Sequence, residues 1–569
     1  AAPTVADEEY KSGPSSPAAL REFPDNLPVW QAACLNCHDS HTVQGARRLL
    51  REGPDAAGTI TNPPKQGSSS ALEEVCYQCH TTAASSVVEV GARGVYSVPD
   101  LRTDFSLPRH MPITNAEQSG SEVHDVVDSD LLESQADLGN AAAGGSLSNR
   151  HAECTDCHNP HRVRKSRLFF GTGTDIAGTH PHDPPPAGGH TNIISGVLRG
   201  AWGVEPQYGS ASFQDLPSGY QVKRGDPLGN TATAASSPYV TREYQICLKC
   251  HSDYGYLDDN VYPAGATRPL VGAAGTPQGT MGVERYTNQA KELQAPVLHR
   301  GEGQSLGTDG GASPVYNSGN HRGWHPVVGE TGRTPLERGG LVTSAFESPW
   351  ASDIGTQTMY CSDCHGSTTA PGTVVPNGNI TPATQESHEN GSAWGPHGSA
   401  DNFILKGDWD TNTGTNQQDD LCFKCHDYQF YATGNREREI SGFCCDQVEN
   451  LHGFHFDRIG SVRCTWCHVA VPHGWKNKAL LVNLNDVGPE GGQSGVEVCT
   501  GGNGWGTTNC SPGGGTINNG YDNGPYYQNA FLKVINFKPS GEWLADDCGS
   551  ASGAVGRDWM RDEACDAPN

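Results

Sequence analysis

The sequence predicts a mostly irregular chain: loops, short helical turns and few short β-strands, followed by a small β-rich, disulfide-stapled tail. Three observations predict it. Gly 71 and Pro 38 together approach a fifth of the 569 residues, while the hydrophobic set reaches only 35%. That load stays below the roughly 25–30% that marks low-complexity disorder. Leu, Ile and Val are too few for a helical bundle or a large parallel sheet, so something other than aliphatic side chains must fill the interior. Cysteine and histidine are in excess, at 20 and 23 residues.

The balance of 38 basic against 64 acidic residues, net −26, excludes a nucleic-acid binder, which needs a basic footprint. No apolar run approaches the roughly 18 residues of a membrane span. The longest candidates, Leu168-Phe169-Phe170 and Ala479-Leu480-Leu481-Val482, are core-sized. Residue 1 is Ala, without a basic and apolar leader, which suggests a removed signal peptide and an extracellular or cell-surface protein.

Fourteen cysteines fall into seven C-x-x-C-H motifs. The first four are Cys34, Cys37 and His38; Cys76, Cys79 and His80; Cys154, Cys157 and His158; and Cys247, Cys250 and His251. The last three are Cys361, Cys364 and His365; Cys422, Cys425 and His426; and Cys464, Cys467 and His468. The motif is the c-type haem attachment signal: each thiol adds to one porphyrin vinyl group, and the adjacent His lands beneath the iron as proximal ligand. A zinc half-site or a redox disulfide would need no His in the fifth position. Seven covalent haems are therefore expected, each attached outside the cytoplasmic membrane.

A six-coordinate haem needs a second axial ligand, His or Met. The four Met (Met111, Met281, Met359, Met560) recur in no common context, so bis-His ligation is expected. Four spare histidines follow odd-numbered motifs: His41 in Cys-His-Asp-Ser-His, His161 in Cys-His-Asn-Pro-His, His397 in Gly-Pro-His-Gly and His473 in Val-Pro-His-Gly. After even-numbered motifs come His110, His325 in Trp-His-Pro-Val, and the pair His452 and His455, of which one would serve. His151, His124, His299 and His321 are reserves; His180, His182 and His190 read as surface residues of a proline-rich loop.

The motifs form a repeat whose unit is a pair, each unit carrying an apolar dipeptide between its two motifs. Unit one runs over 34–110 with Leu49-Leu50, unit two over 154–325 with Leu168-Phe169-Phe170, and unit three over 361–455 with Phe403-Ile404-Leu405. A half unit, 464–485, has Leu480-Leu481, so the seven-haem body spans 1–485. The paired motifs, Cys-His-Asn-Pro-His, Pro-His-Gly and His-Pro-Val together resemble the doubled-CxxCH multihaem cytochromes c over about residues 30–485. Within them the chain is most similar to the filament-forming extracellular cytochromes. That resemblance implies a loop-dominated chain wrapped round a continuous haem stack, and a head-to-tail homopolymer.

Six further cysteines, Cys444, Cys445, Cys499, Cys510, Cys548 and Cys565, lie near the C-terminus. Being even in number in an oxidising compartment, they suit up to three disulfides of open connectivity. Residues 486–569 then read as a Gly/Asn-rich appendage, with Phe531-Leu-Lys-Val-Ile-Asn-Phe537 alternating like a strand. It is either a subunit contact or filament cap, or a passive stabiliser. Asp408, Asp410 and Asn412 with Asp419 resemble a calcium loop, but Thr413 stands where glycine is required, and a solvated acidic turn is favoured.

The leading function is extracellular electron transfer along a chain of bis-His haems, polymerising into conductive filaments, with other cytochromes or extracellular metal and mineral acceptors as redox partners. A nitrite, hydroxylamine or tetrathionate reductase with one open haem is the alternative class, and a monomeric surface metal reductase a third. All seven motifs end in His and spare histidines are at least as numerous as the irons, so no catalytic residue is expected.

Overall fold

The computed structural model describes residues 9–20, 23–24, 27–38, 50–51, 72–89, 98–107, 122–124, 126, 152–163, 192–194, 196–209, 216–226, 232–254, 261–262, 266–267, 289–300, 322–333, 343–347, 350–351, 354–368, 395–409, 413–414, 416–436, 441, 443, 450–460, 462–482 and 532. Among these, regular structure is short throughout. The longest helix, Leu451–Ile459, has nine residues. Asn450 caps it by accepting the His452 N–H at 3.2 Å, and Gly460 ends it in the left-handed region at φ 83°. No helix of the described residues is long and apolar enough to cross a membrane.

Ten strands form five two-stranded antiparallel pairs among the described residues. They are β1 (Glu9–Tyr10) with β2 (Val88–Glu89), β3 (Glu122–Val123) with β9 (Gly398–Ser399), β4 (Gly203–Gln207) with β5 (Gly219–Lys223), β6 (Val261–Tyr262) with β7 (Ala266–Thr267), and β8 (Gly323–Trp324) with β10 (Gly474–Trp475). Only β4 and β5 reach five residues. Two-residue strands carry no alternating pattern to read in advance.

Apolar side chains gather in small separate clusters, three of them beside motif cysteines. Val204, Tyr244, Leu248, Trp350 and Met359 pack against Cys361, Cys364 and Cys425. Tyr10, Phe23, Val87 and Val88 pack against Cys79, and Leu405, Trp409 and Ala470 against Cys364 and Cys422. The interior is thus assembled around the motifs rather than around one aliphatic core.

An internal repeat orders two of these regions. Pro396-His397-Gly398-Ser399 leads into a short 3-10 turn at Asn402–Ile404, and Pro472-His473-Gly474-Trp475 leads into another at Lys478–Leu480. The glycines are forced by close backbone approach. A Cβ at Gly398 would sit 2.5 Å from the Asp104 carbonyl oxygen, and one at Gly474 would sit 1.9 Å from that of Glu292.

Candidate metal and cofactor centres

All seven motifs adopt the same single turn. The His N–H donates to the carbonyl of the first Cys at 2.9 Å in motifs one to four and seven, and at 3.0 Å in motifs five and six. Two residues between the cysteines make that turn, and the fifth-position His closes it. None of the fourteen motif cysteines is bonded in a disulfide. Cys250, expected from the sequence as the second attachment point of motif four, is one of them. It is half-buried, and its N–H donates to the Cys247 carbonyl at 3.1 Å inside the turn.

The imidazoles are anchored at one nitrogen. Nδ1 of His80, His158, His365 and His468 donates to the backbone carbonyls of Pro99 (3.3 Å), Val197 (2.8 Å), Phe403 (2.8 Å) and Ala479 (2.8 Å). Nδ1–H on a carbonyl fixes the tautomer and leaves Nε2 as the ligating atom, the usual arrangement of a metal-bound histidine. The apolar segments after motifs five and seven exist to present these carbonyls. Phe403 and Ile404 (φ 57° and 54°) and Ala479 and Leu480 (φ 52° and 60°) are paired left-handed residues. Backbone of that kind costs about 1–3 kcal/mol per residue and persists where surrounding contacts demand it. In unit two the sequence pointed to Leu168-Phe169-Phe170, which lie outside the described residues. The carbonyl on His158 comes from Val197, in the short turn Gly196–Leu198.

Several histidine rings then meet in pairs: His38 with His161 at 6.1 Å between ring centres, His158 with His397 at 6.3 Å, His251 with His124 at 6.1 Å, and His365 with His473 at 6.1 Å. A metal–imidazole bond is about 2.0–2.1 Å and the ring centre lies about 1 Å beyond, so two imidazoles across one metal have centres roughly 6–6.5 Å apart. The spacing and the donor set fit one iron per pair. Burial keeps His80, His158, His124, His397 and His468 below the ordinary histidine range and lowers His365 to about 4. Imidazoles held neutral in this way are ready to ligate. A cavity of about 450 Å³, lined by Thr155, His158, His161, Ala201 and Trp202, opens at motif three, within the size range of cofactor sites.

Two equivalent modules carry most of these partners. In the first, the His124 N–H donates to the His397 carbonyl (3.1 Å) and its Nδ1 to the Pro396 carbonyl (2.5 Å). In the second, the His325 N–H donates to the His473 carbonyl (2.9 Å) and its Nδ1 to Pro472. His325 thus holds in the second module the place that His124, which faces His251 of motif four, holds in the first.

The surroundings of His426 differ from those of the carbonyl-anchored motif histidines. Its ring is packed by aromatic side chains, Phe346 at 4.8 Å and Tyr431 edge-on at 5.1 Å, and its backbone forms an isolated bridge with Phe346. Aromatic faces seat an imidazole by shape and exclude water, without selecting a tautomer as a carbonyl does. Tyr431 also meets the His452 ring edge-on at 5.1 Å, so one phenol separates motif six from the next ligand.

On the helix Leu451–Ile459, His452 neighbours His468 of motif seven. Its Nδ1 is 2.8 Å from the Ser441 hydroxyl, and burial followed by the neighbouring His468 lowers it to about 3. His455 Nδ1 donates to the Leu451 carbonyl at 2.6 Å, and its ring stacks on Phe443 at 5.8 Å.

Successive motifs touch in sequence order. The thiols of Cys76 and Cys154, Cys247 and Cys361, and Cys422 and Cys464 are in hydrogen-bonding contact, joining motifs two to three, four to five and six to seven. Motifs one and two meet around Tyr10, beside Cys37 and Cys79; Cys157 lies near Cys247, and Cys364 near Cys422. A buried carboxylate accompanies each thiol contact: Glu73, Glu243 and Asp420 in turn. Glu243 Oε1 accepts the Ser362 N–H at 2.9 Å.

No family model, curated protein or solved structure matches this chain.

The structure thus brings His161, His397, His452 and His473 to motif histidines and adds His124, which sequence reading held in reserve. Its only local signal was a Val-His dipeptide, because its partner Pro396 lies 272 residues away. His299 accepts the Arg322 N–H on Nδ1 at 3.4 Å, which leaves its proton on Nε2 and unfits it as a ligand in this arrangement. His41, His110, His151 and His321 lie outside the described residues, as do the six tail cysteines and Phe531–Phe537 apart from Leu532, whose N–H donates to the Trp466 carbonyl at 2.9 Å. Asp410 and Asn412 of the calcium reading lie outside them too; Asp408 is hydrogen-bonded to the Asp401 carboxyl, a carboxyl pair that the sequence did not suggest.

Proposed function

We propose that this chain is a heptahaem c-type cytochrome that carries electrons along a line of bis-His haems running from motif one to motif seven. The observation that carries the reading is the set of four histidine pairs at 6.1–6.3 Å, each joining a C-x-x-C-H histidine to one from elsewhere in the chain. When bound, haem supplies a one-electron couple at each motif, and electrons pass between adjacent couples. The chain's part is to hold each group by two thiols, to set ligand tautomers through Nδ1, and to exclude water by burying the imidazoles. Contacts between successive motifs supply the continuity that such a path needs.

The pairs also support the polymer. His161 follows motif three and faces motif one, and His473 follows motif seven and faces motif five, so these ligands are offered two motifs back. Carried on by one step, the same shift takes His41 to a motif outside residues 34–468, which is how a head-to-tail polymer of this chain would be joined. The secreted, extracellular setting and the redox partners expected from the sequence belong to the same proposal.

Substitution of the non-motif histidines tests it. In holoprotein, His397→Ala and His473→Ala should each convert one haem in seven from low to high spin by electron paramagnetic resonance. Seven unchanged low-spin haems in both variants would sink the axial pairing. Electron microscopy of wild type and His41→Ala reads the polymer: filaments lost in the variant support it, and discrete particles in wild type at all concentrations overturn it.

A further inference from the structure

The two histidine modules differ at one atom. His473 Nδ1 donates to Glu292 Oε2 at 2.9 Å, and the Glu292 side chain is 0% exposed. His397 Nδ1 is buried with no hydrogen-bond partner among the described residues. The modules are otherwise matched at this place, since the Glu292 carbonyl backs Gly474 as the Asp104 carbonyl backs Gly398. Asp104 is one methylene shorter, and its carboxyl turns to the Ser367 hydroxyl instead of to His397. The neighbouring cation, Arg322, is bonded elsewhere: it donates to the Gln294 side chain (2.6 Å) and to the Lys291 and Glu292 backbone carbonyls (2.9 and 3.4 Å).

We propose that Glu292 is a positioning residue that holds the His473 ring with Nε2 toward His365 and makes the motif-five haem lower in reduction potential than the motif-three haem. The inference rests on the haem reading above. A carboxylate on the far nitrogen of a ligating imidazole raises the basicity of the ligand, and a more basic, more negative ligand favours ferric over ferrous iron. A water-excluded carboxylate acts with little dielectric screening. His397, with no such partner, lacks that bias.

The test is a spectroelectrochemical titration of the holoprotein, wild type against Glu292→Gln. One of seven one-electron steps should move upward, by at least a tenfold change in the ferric-to-ferrous ratio at fixed potential, about 59 mV for a one-electron couple. The other six should stay in place, which a merely structural role would not produce. The converse variant, Asp104→Glu, supplies the missing methylene and should move a different step downward; it decides the matter if Glu292→Gln loads fewer than seven haems. Seven haems with unmoved potentials in these variants overturn the role of Glu292 alone. Wild type without covalent haem overturns the reading on which it rests.

Discussion

The β3/β9 and β8/β10 modules solve one problem with different side chains. Each runs Pro-His-Gly into a two-residue strand and a 3-10 turn, and each presents two histidines through the same backbone bonds. The first module stabilises itself with hydroxyls and acids. Ser399 donates to the Leu405 carbonyl, lies 2.8 Å from the Thr368 hydroxyl and accepts the Asp401 N–H at 3.0 Å. The second uses bulk: Trp475, 0% exposed, stands in the place of Ser399, and Trp324 lies opposite the neighbouring Gly474. Where Asp401 starts the first 3-10 turn, Asn477 starts the second. The backbone and the histidines are therefore the common device, and the side chains around them set stability, charge and ligand strength separately in each module.

Substitutions at matched positions sharpen that contrast. Trp475→Ala should cost about 3–5 kcal/mol, the range for emptying a buried aromatic site, whereas Ser399→Ala should cost about 1 kcal/mol, the net value of a hydrogen bond. Denaturant unfolding of the two variants reads both, and equal losses would break the distinction. Gly474→Ala comes next. Overpacking costs about 1–3 kcal/mol, and the 1.9 Å approach to Glu292 against 2.5 Å to Asp104 places Gly474→Ala above Gly398→Ala in the same assay.

The smallest effect is one of pH. Burial, followed by the adjacent Asp408, pushes the Asp401 carboxyl up to about 7. Between the ordinary Asp value of about 3.9 and that point the native chain holds a proton that the unfolded chain has lost. Stability contributed by Asp401 therefore falls as pH rises through this window. Asp401→Asn, which copies the second module, should flatten the dependence, and an unchanged slope would remove Asp401 as its source.

Much of the site was legible because the chemistry is local. C-x-x-C-H fixes a turn within five residues, and Pro-His-Gly marked His397 and His473. Its glycine records the backbone that presses on it. What sequence reading missed is long-range. Glu292 lies 181 residues from His473, and His124 reaches across the chain to Pro396 through strands of two residues that leave no periodic trace. Phe346 lies 80 residues before His426, so the aromatic seat of motif six was equally hidden. Val197 could not be read as the partner of His158, because the group required is a carbonyl and any residue can offer one. The order of the motifs in space follows from contacts between thiols that no spacing encodes.

The central claim is most directly tested by intact mass and pyridine haemochrome analysis of the chain produced with c-type maturation. Seven covalent haems per chain, with all fourteen motif thiols consumed, Cys250 among them, are expected. A chain that retains those thiols in reactive form, or holds zinc in their place, would contradict it.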